Sequence, residues 1–167
     1  MTVQNTNMRS RTITWSKPEP DVELMKQVSG LESLRQAFGD AQRAAPIGRL
    51  MDFRTVTIDF GRVVFEGEPA ECHYNPLGTV HGGYAATLLD SAMGCSVHSA
   101  LKPGFAYTTV ELKVNYIRAM TAATGRVTAE GKIINVGSRI ATAEGRLVGS
   151  DGKLYAHGST TCLVFPL

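Results

Sequence analysis

A chain of 167 residues that is 43% hydrophobic and 19% charged can build one domain with a well-formed core. Its formal net charge of +2, with no Lys/Arg-rich block and no basic stripe interleaved with aromatics, argues against nucleic acid as a partner. Cys72, Cys95 and Cys162 are odd in number and widely spaced, which argues against a disulfide framework or a zinc site and fits reduced intracellular thiols.

In chain order, residues 1–20 read as a polar N-terminal tail whose apolar patch, Ile13 and Trp15, is expected to anchor it through Trp15. Residues 21–45 favour one or two modest amphipathic helices, with Leu24, Val28, Leu34 and Phe38 among the apolar positions and Ser29 as a cap. Pro46 and Gly48 are expected to close that region. The alternation in Arg54–Phe60 predicts a strand, and Gly61 turns it into a partner beginning at Arg62. Further on, Phe105–Arg118 alternates cleanly, and Gly125–Val136, Arg139–Val148 and Leu154–Phe165 follow, with Asp151-Gly152 as a hairpin turn. These predict a four-strand antiparallel meander.

Between the two groups of strands lies Asn75-Pro-Leu-Gly-Thr-Val-His81-Gly82-Gly83, a polar glycine-bearing loop that feeds a nearly all-apolar helix from His81 to Ala100. Ala85, Leu88, Leu89, Ala92 and Met93 make one apolar face, and Ala86, Cys95 and Val97 make the others apolar too. Such a helix is buried, and an antiparallel sheet must bury one face, so the expected α+β fold is a curved sheet wrapped around this helix. Asp90 is its only carboxylate. A buried ionised carboxylate costs several kcal/mol or more unless it is paired or hydrogen-bonded, so Asp90 has either a structural partner or a chemical task.

The first amides of a helix lack intrahelical acceptors and sit at the positive end of its dipole. Gly82 and Gly83 would let a substrate oxygen come within contact of those amides, as acyl transfer requires. Asp90 lies eight residues after Gly82, roughly 12 Å along the axis. One carbonyl cannot touch both within a chain. If both act on one carbon they come from two chains, and the site lies at the interface of a symmetric oligomer. Ala86 and Gly94, one turn either side of Asp90, leave room for a second chain or a ligand.

The pattern Asn75-Pro76-x-Gly78-x-x-His81-Gly82-Gly83 followed by Asp90 resembles the hotdog-fold acyl-CoA thioesterases, specifically the phenylacetate-degradation (PaaI-type) branch, over roughly residues 45–165. The resemblance implies a single hotdog domain over 21–167, including a helical lead-in at 21–45, that hydrolyses an acyl- or aryl-CoA thioester. Edge-to-edge homodimers with shared sites, paired into a homotetramer, are implied as well. Coenzyme A is then part of the substrate, and no cofactor or metal is expected. The Gly82 amide would polarise the thioester carbonyl while Asn75 orients substrate or water. Asp90 of the other chain would be nucleophile or general base. Thr109 matches a residue that holds the attacking water, and His81 would hold the loop or bond the thioester oxygen. Gly83 belongs to the substrate-binding turn, and Gly137-Ser138-Arg139 matches a segment near the pantetheine arm or phosphates of coenzyme A. A hotdog dehydratase or hydratase and a non-catalytic acyl-CoA-binding regulator are the alternatives. Tyr84, Met93 and Phe105 are candidates for the acyl pocket. No apolar run reaches the ~18 residues of a membrane span and no secretory core is seen, so a cytoplasmic protein is expected.

Overall fold

A computed structural model describes residues 7–39 and 45–167. The lead-in forms α1 (Val22–Gln27), capped by the Asp21 carboxylate, and α2 (Gly30–Gly39), which the Ser29 hydroxyl caps by accepting from the Glu32 N–H at 3.3 Å. The expectation that Pro46 ends the helical region is corrected: Pro46 opens a third helix, α3 (Pro46–Met51). Proline suits a first helical position because its missing N–H would have had no partner there.

Two strands follow, β1 (Phe53–Asp59) and β2 (Arg62–Gly67), then the long helix α4 (Gly82–Ser99), and then β3 (Phe105–Tyr116), β4 (Val127–Val136), β5 (Ile140–Gly149) and β6 (Leu154–Pro166). All pair antiparallel in one curved six-stranded sheet of order β1-β2-β4-β5-β6-β3. The expected β1–β2 hairpin and the β4-β5-β6 meander are present. The four-strand meander is corrected, because β3 pairs with β6 and not with β4. The connection from Ile117 to Arg126 carries the chain across the sheet, which leaves β1 and β3 as its two edges.

Leu88, Leu89, Ala92, Met93 and Val97 of α4 are fully buried against Val63, Phe65, Val127, Ala129, Ala143 and Leu147. Each large side chain there contributes roughly 1.5–3 kcal/mol. Two glycines set how close the helix lies. A Cβ on Gly131 would collide with the backbone of Ala92, and one on Gly145 would stand 2.9 Å from the Met93 side chain. The N-terminal segment is not anchored by Trp15, which is 60% exposed. Its ties are Arg9 to Glu71 at 3.8 Å and Arg11 to Asp52 at 3.5 Å, the latter guanidinium also donating to the Cys72 Sγ.

Candidate active site

The loop before α4 is built by Asn75. Its Oδ1 accepts from the N–H groups of Leu77 and Thr79 at 2.9 and 3.3 Å, and its Nδ2 donates to the Thr79 Oγ1 at 3.0 Å. Gly78 completes the turn at φ +79, a conformation that favours glycine. The amide of Asn75 therefore faces its own loop, with one Nδ2 hydrogen left over. The chain is then pinned by Val80 N–H to Met120 carbonyl and His81 N–H to His73 carbonyl, both at 2.8 Å.

His81 is the N-cap of α4, its Nδ1 accepting from the Gly83 N–H at 2.9 Å. An accepting Nδ1 leaves the ring proton on Nε2. This bond separates the two glycine amides. The Gly83 N–H is taken, whereas the Gly82 N–H has no partner among the described residues. A Cβ on Gly82 would stand 3.0–3.2 Å from the ring and hydroxyl of Tyr116, so the glycine admits that ring. Gly82 and Tyr116 line a cleft of about 360 Å3 together with Arg118 and Met120.

Asp90 belongs to a different cavity, of about 700 Å3, that lies under α3 and takes walls from both edge strands: Phe53 and Thr55 of β1 and Tyr107 of β3. Asp90 is half-buried, and the Thr109 Oγ1 donates to its Oδ1 at 3.0 Å. Thr109 adjoins a register shift in β3, where Val110 bulges out and is 57% exposed. Bulges re-aim side chains, and this one follows directly on the residue that meets Asp90. Cys95 lines the same cavity, but burial, with Asp90 adding to it, pushes its thiol up to about 12. A thiol that stays protonated is a poor nucleophile. Burial likewise pushes the Tyr107 phenol up.

The structure thus joins Asp90 to Thr109 and sets Asn75 and His81 in the loop that leads to Gly82, but Asp90 and Gly82 line separate cavities of the chain. Gly137, Ser138 and Arg139 form the exposed tip between β4 and β5. The register sets Ala141, Cys162 and Thr109 in one row across β5, β6 and β3, so this tip lies at the Thr109 end of the sheet. The room expected at Gly94 is filled by Tyr107 of the same chain. Tyr84 and Met93 are core residues at 1% and 0% exposure, and neither they nor Phe105 line the Asp90 cavity.

Sequence reasoning missed Tyr107 and Tyr116. The two-residue step from Thr109 back to Tyr107 was a usable signal, since both then face α4. It also missed the lead-in as a wall of the cavity, where Phe38 of α2 and Ile47 of α3 both contribute. Among the described residues no helix is long and apolar enough to cross a membrane.

A protein-family model described as Thioesterase superfamily matches residues 77–156, which include Gly82, Asp90 and Thr109. A Halobacterium salinarum protein provisionally named an esterase is 46% identical over 40% of this chain and 44% of its own length, so the match spans under half of that relative. The 1,4-dihydroxy-2-naphthoyl-CoA hydrolase of Listeria monocytogenes is 25% identical over 65% of this chain and 87% of its own. Among solved structures, a mutant of the phenylacetic acid degradation protein PaaI from Thermus thermophilus superposes with a TM-score of 0.65 at 27% identity, covering 71% of this chain and 98% of that one. Residues 77–156 therefore carry the signature of the Thioesterase superfamily, within a chain that has the hotdog fold.

Proposed function

We propose that this protein is an acyl-CoA thioesterase that releases free acid and coenzyme A, of the PaaI type. The observation that carries the reading is the half-buried Asp90 carboxylate, held by Thr109 at the wall of a large, mostly apolar-walled cavity. The family match and the Listeria relative, a CoA-thioester hydrolase by name, support thioester cleavage as the chemistry.

In this reading the Gly82 N–H, without a partner among the described residues, donates to the thioester oxygen and stabilises the negative charge that develops on it. The bond from Thr109 uses one oxygen of Asp90 and leaves Oδ2 to act. That oxygen either attacks the acyl carbon, forming an anhydride that water then hydrolyses to the free acid, or takes a proton from a water that attacks the carbon instead, and in the second case the Thr109 oxygen can accept a hydrogen bond from that water. The thiolate of coenzyme A leaves when the tetrahedral intermediate collapses. His81 acts through the loop that it caps, and the exposed tip at Gly137-Ser138-Arg139 lies where a pantetheine arm or phosphate could run.

In this reading the working unit is a dimer that brings the Gly82 of one protomer to the Asp90 of the other, which fits their lining different cavities of one chain. Edge strand β3, with Phe105, Val110 and Tyr116 exposed, is the strand that such a dimer would pair, and two dimers would make a tetramer. The test is release of free coenzyme A from a panel of aryl- and alkyl-acyl-CoAs by wild type and Asp90→Asn. Turnover that falls by orders of magnitude in the variant supports the reading. Equal turnover in both, or binding without release by wild type, defeats it.

A further inference from the structure

On α4, Asp90 and Gly94 are four residues apart and share a face, roughly 6 Å apart along the axis. On β3, Thr109 and Tyr107 are two residues apart and share a face. The structure pairs them in order, Thr109 with Asp90 and Tyr107 with Gly94. A Cβ on Gly94 would stand 2.5 Å from the Tyr107 hydroxyl and 3.0–3.1 Å from its ring carbons. The hydroxyl end of the ring therefore sits against the helix at a depth that glycine permits and a Cβ would not.

Tyr107 and Cys95 line the same cavity as Asp90, together with Phe38 and Phe53. An acyl group whose carbonyl is at Asp90 and which runs towards the C-terminal end of α4 passes Cys95 and meets Tyr107 within about one helical turn. The ring is backed by His98, its centroid 5.8 Å away, and His98 is itself buried.

We propose that Tyr107, seated on Gly94, is a specificity-determining residue that limits how long an acyl group the Asp90 cavity accepts. This rests on the thioesterase reading, but it makes a prediction of its own, because the two halves of the device push in opposite directions. Tyr107→Leu removes the far half of the ring and opens the cavity beyond Asp90. Gly94→Ala adds a methyl beneath the ring and drives it into the cavity, which closes it.

The experiment measures kcat/KM for wild type, Tyr107→Leu and Gly94→Ala on straight-chain acyl-CoAs from butanoyl to palmitoyl, with benzoyl- and phenylacetyl-CoA alongside. Each methylene newly accommodated is worth about fourfold. The optimum is expected to move to chains at least two carbons longer in Tyr107→Leu, with gains of about 15-fold there, and to shorter chains in Gly94→Ala. In parallel, each protein carrying Asp90→Asn is titrated calorimetrically with the same series, so that the ranking by length is read without turnover. If wild type turns over nothing while the binding optimum still moves in opposite directions, the thioesterase reading fails and the length limit stands. Unchanged profiles, a shift of the same sign in both variants, or no binding by any form overturns it. Should one variant fail to fold, the other still carries the sign of the shift, and Tyr107→Phe, which removes only the hydroxyl nearest Gly94, serves as the folded control.

Discussion

The Thr109 hydroxyl donates to the Asp90 carboxylate at 3.0 Å, and this bond fastens an edge strand to the middle of the central helix. A side chain that shares a hydrogen bond across two elements both positions the carboxylate and depends on the bulge beside it. Thr109→Val keeps the shape and the strand preference but removes the donor. It is expected to lower kcat roughly tenfold or more with little change in KM, and to cost about 1 kcal/mol in denaturant unfolding at this half-buried position.

If Gly82 and Asp90 act on one substrate from two chains, mixed dimers will reveal it. Asp90→Asn and Gly82→Val are each expected to be inactive. Refolded together in equal amounts, they should recover about a quarter of wild-type turnover, since half of the dimers are mixed and each holds one intact site. Recovery at the level of the single variants would place both residues in one chain's site.

Gly82→Ala isolates the space that Tyr116 occupies. The new Cβ would stand 3.0–3.2 Å from the tyrosine ring, so ring or helix entry must shift while the amide itself remains. The expected loss is on the order of 10² in kcat, with an unfolding midpoint near that of wild type. Restoration by Gly82→Ala combined with Tyr116→Ala would assign the loss to the collision.

The His81 side chain caps α4 through its Nδ1. His81→Ala should cost about 1 kcal/mol of stability, and His81→Asn, which can also accept from the Gly83 amide, should recover most of it. Chemical denaturation of the three proteins checks this. If Asn restores stability but not activity, the ring also serves the substrate.

His73 and His98 are both buried, and burial lowers the pKa of each, with Arg11 adding to the effect at His73. A histidine held below its unfolded pKa of about 6.5 favours the folded state only where it is neutral in both states. That contribution is complete above pH ~6.5 and declines as pH falls below it, by up to ~1.4 kcal/mol per pH unit for each proton taken up on unfolding. Unfolding free energies measured from pH 7.5 down to 5 should fall. His98→Leu, with only burial acting on the ring it replaces, should flatten the slope.

Most of the architecture was legible in the sequence because it rests on periodicity. The apolar girdle of α4 and the alternation in β3 are local patterns, and each has one physical solution. The β3–β6 pairing was not legible, since alternation says which face a residue takes but not which strand lies beside it. The loop and Asp90 could be singled out because a carboxylate in an apolar helix and two glycines at its start conflict with packing alone. Which amide is left without a partner among the described residues could not be read, because it depends on the Nδ1 of His81 accepting from Gly83 and not from Gly82. Tyr107 was hidden for a similar reason: Gly94 looked like open room, and its occupant lies thirteen residues further along the chain.

Asn75 spends both ends of its amide on the turn that contains it, and His81 closes the sequence of bonds that begins there. The ordering entropy of this segment is therefore met during folding. If Gly82 receives the thioester oxygen, the dipole of an eighteen-residue helix is already aimed at it, and association need not first freeze a mobile loop. Loosening the turn at Asn75, far from any bond that breaks, would transfer that entropy to every binding event.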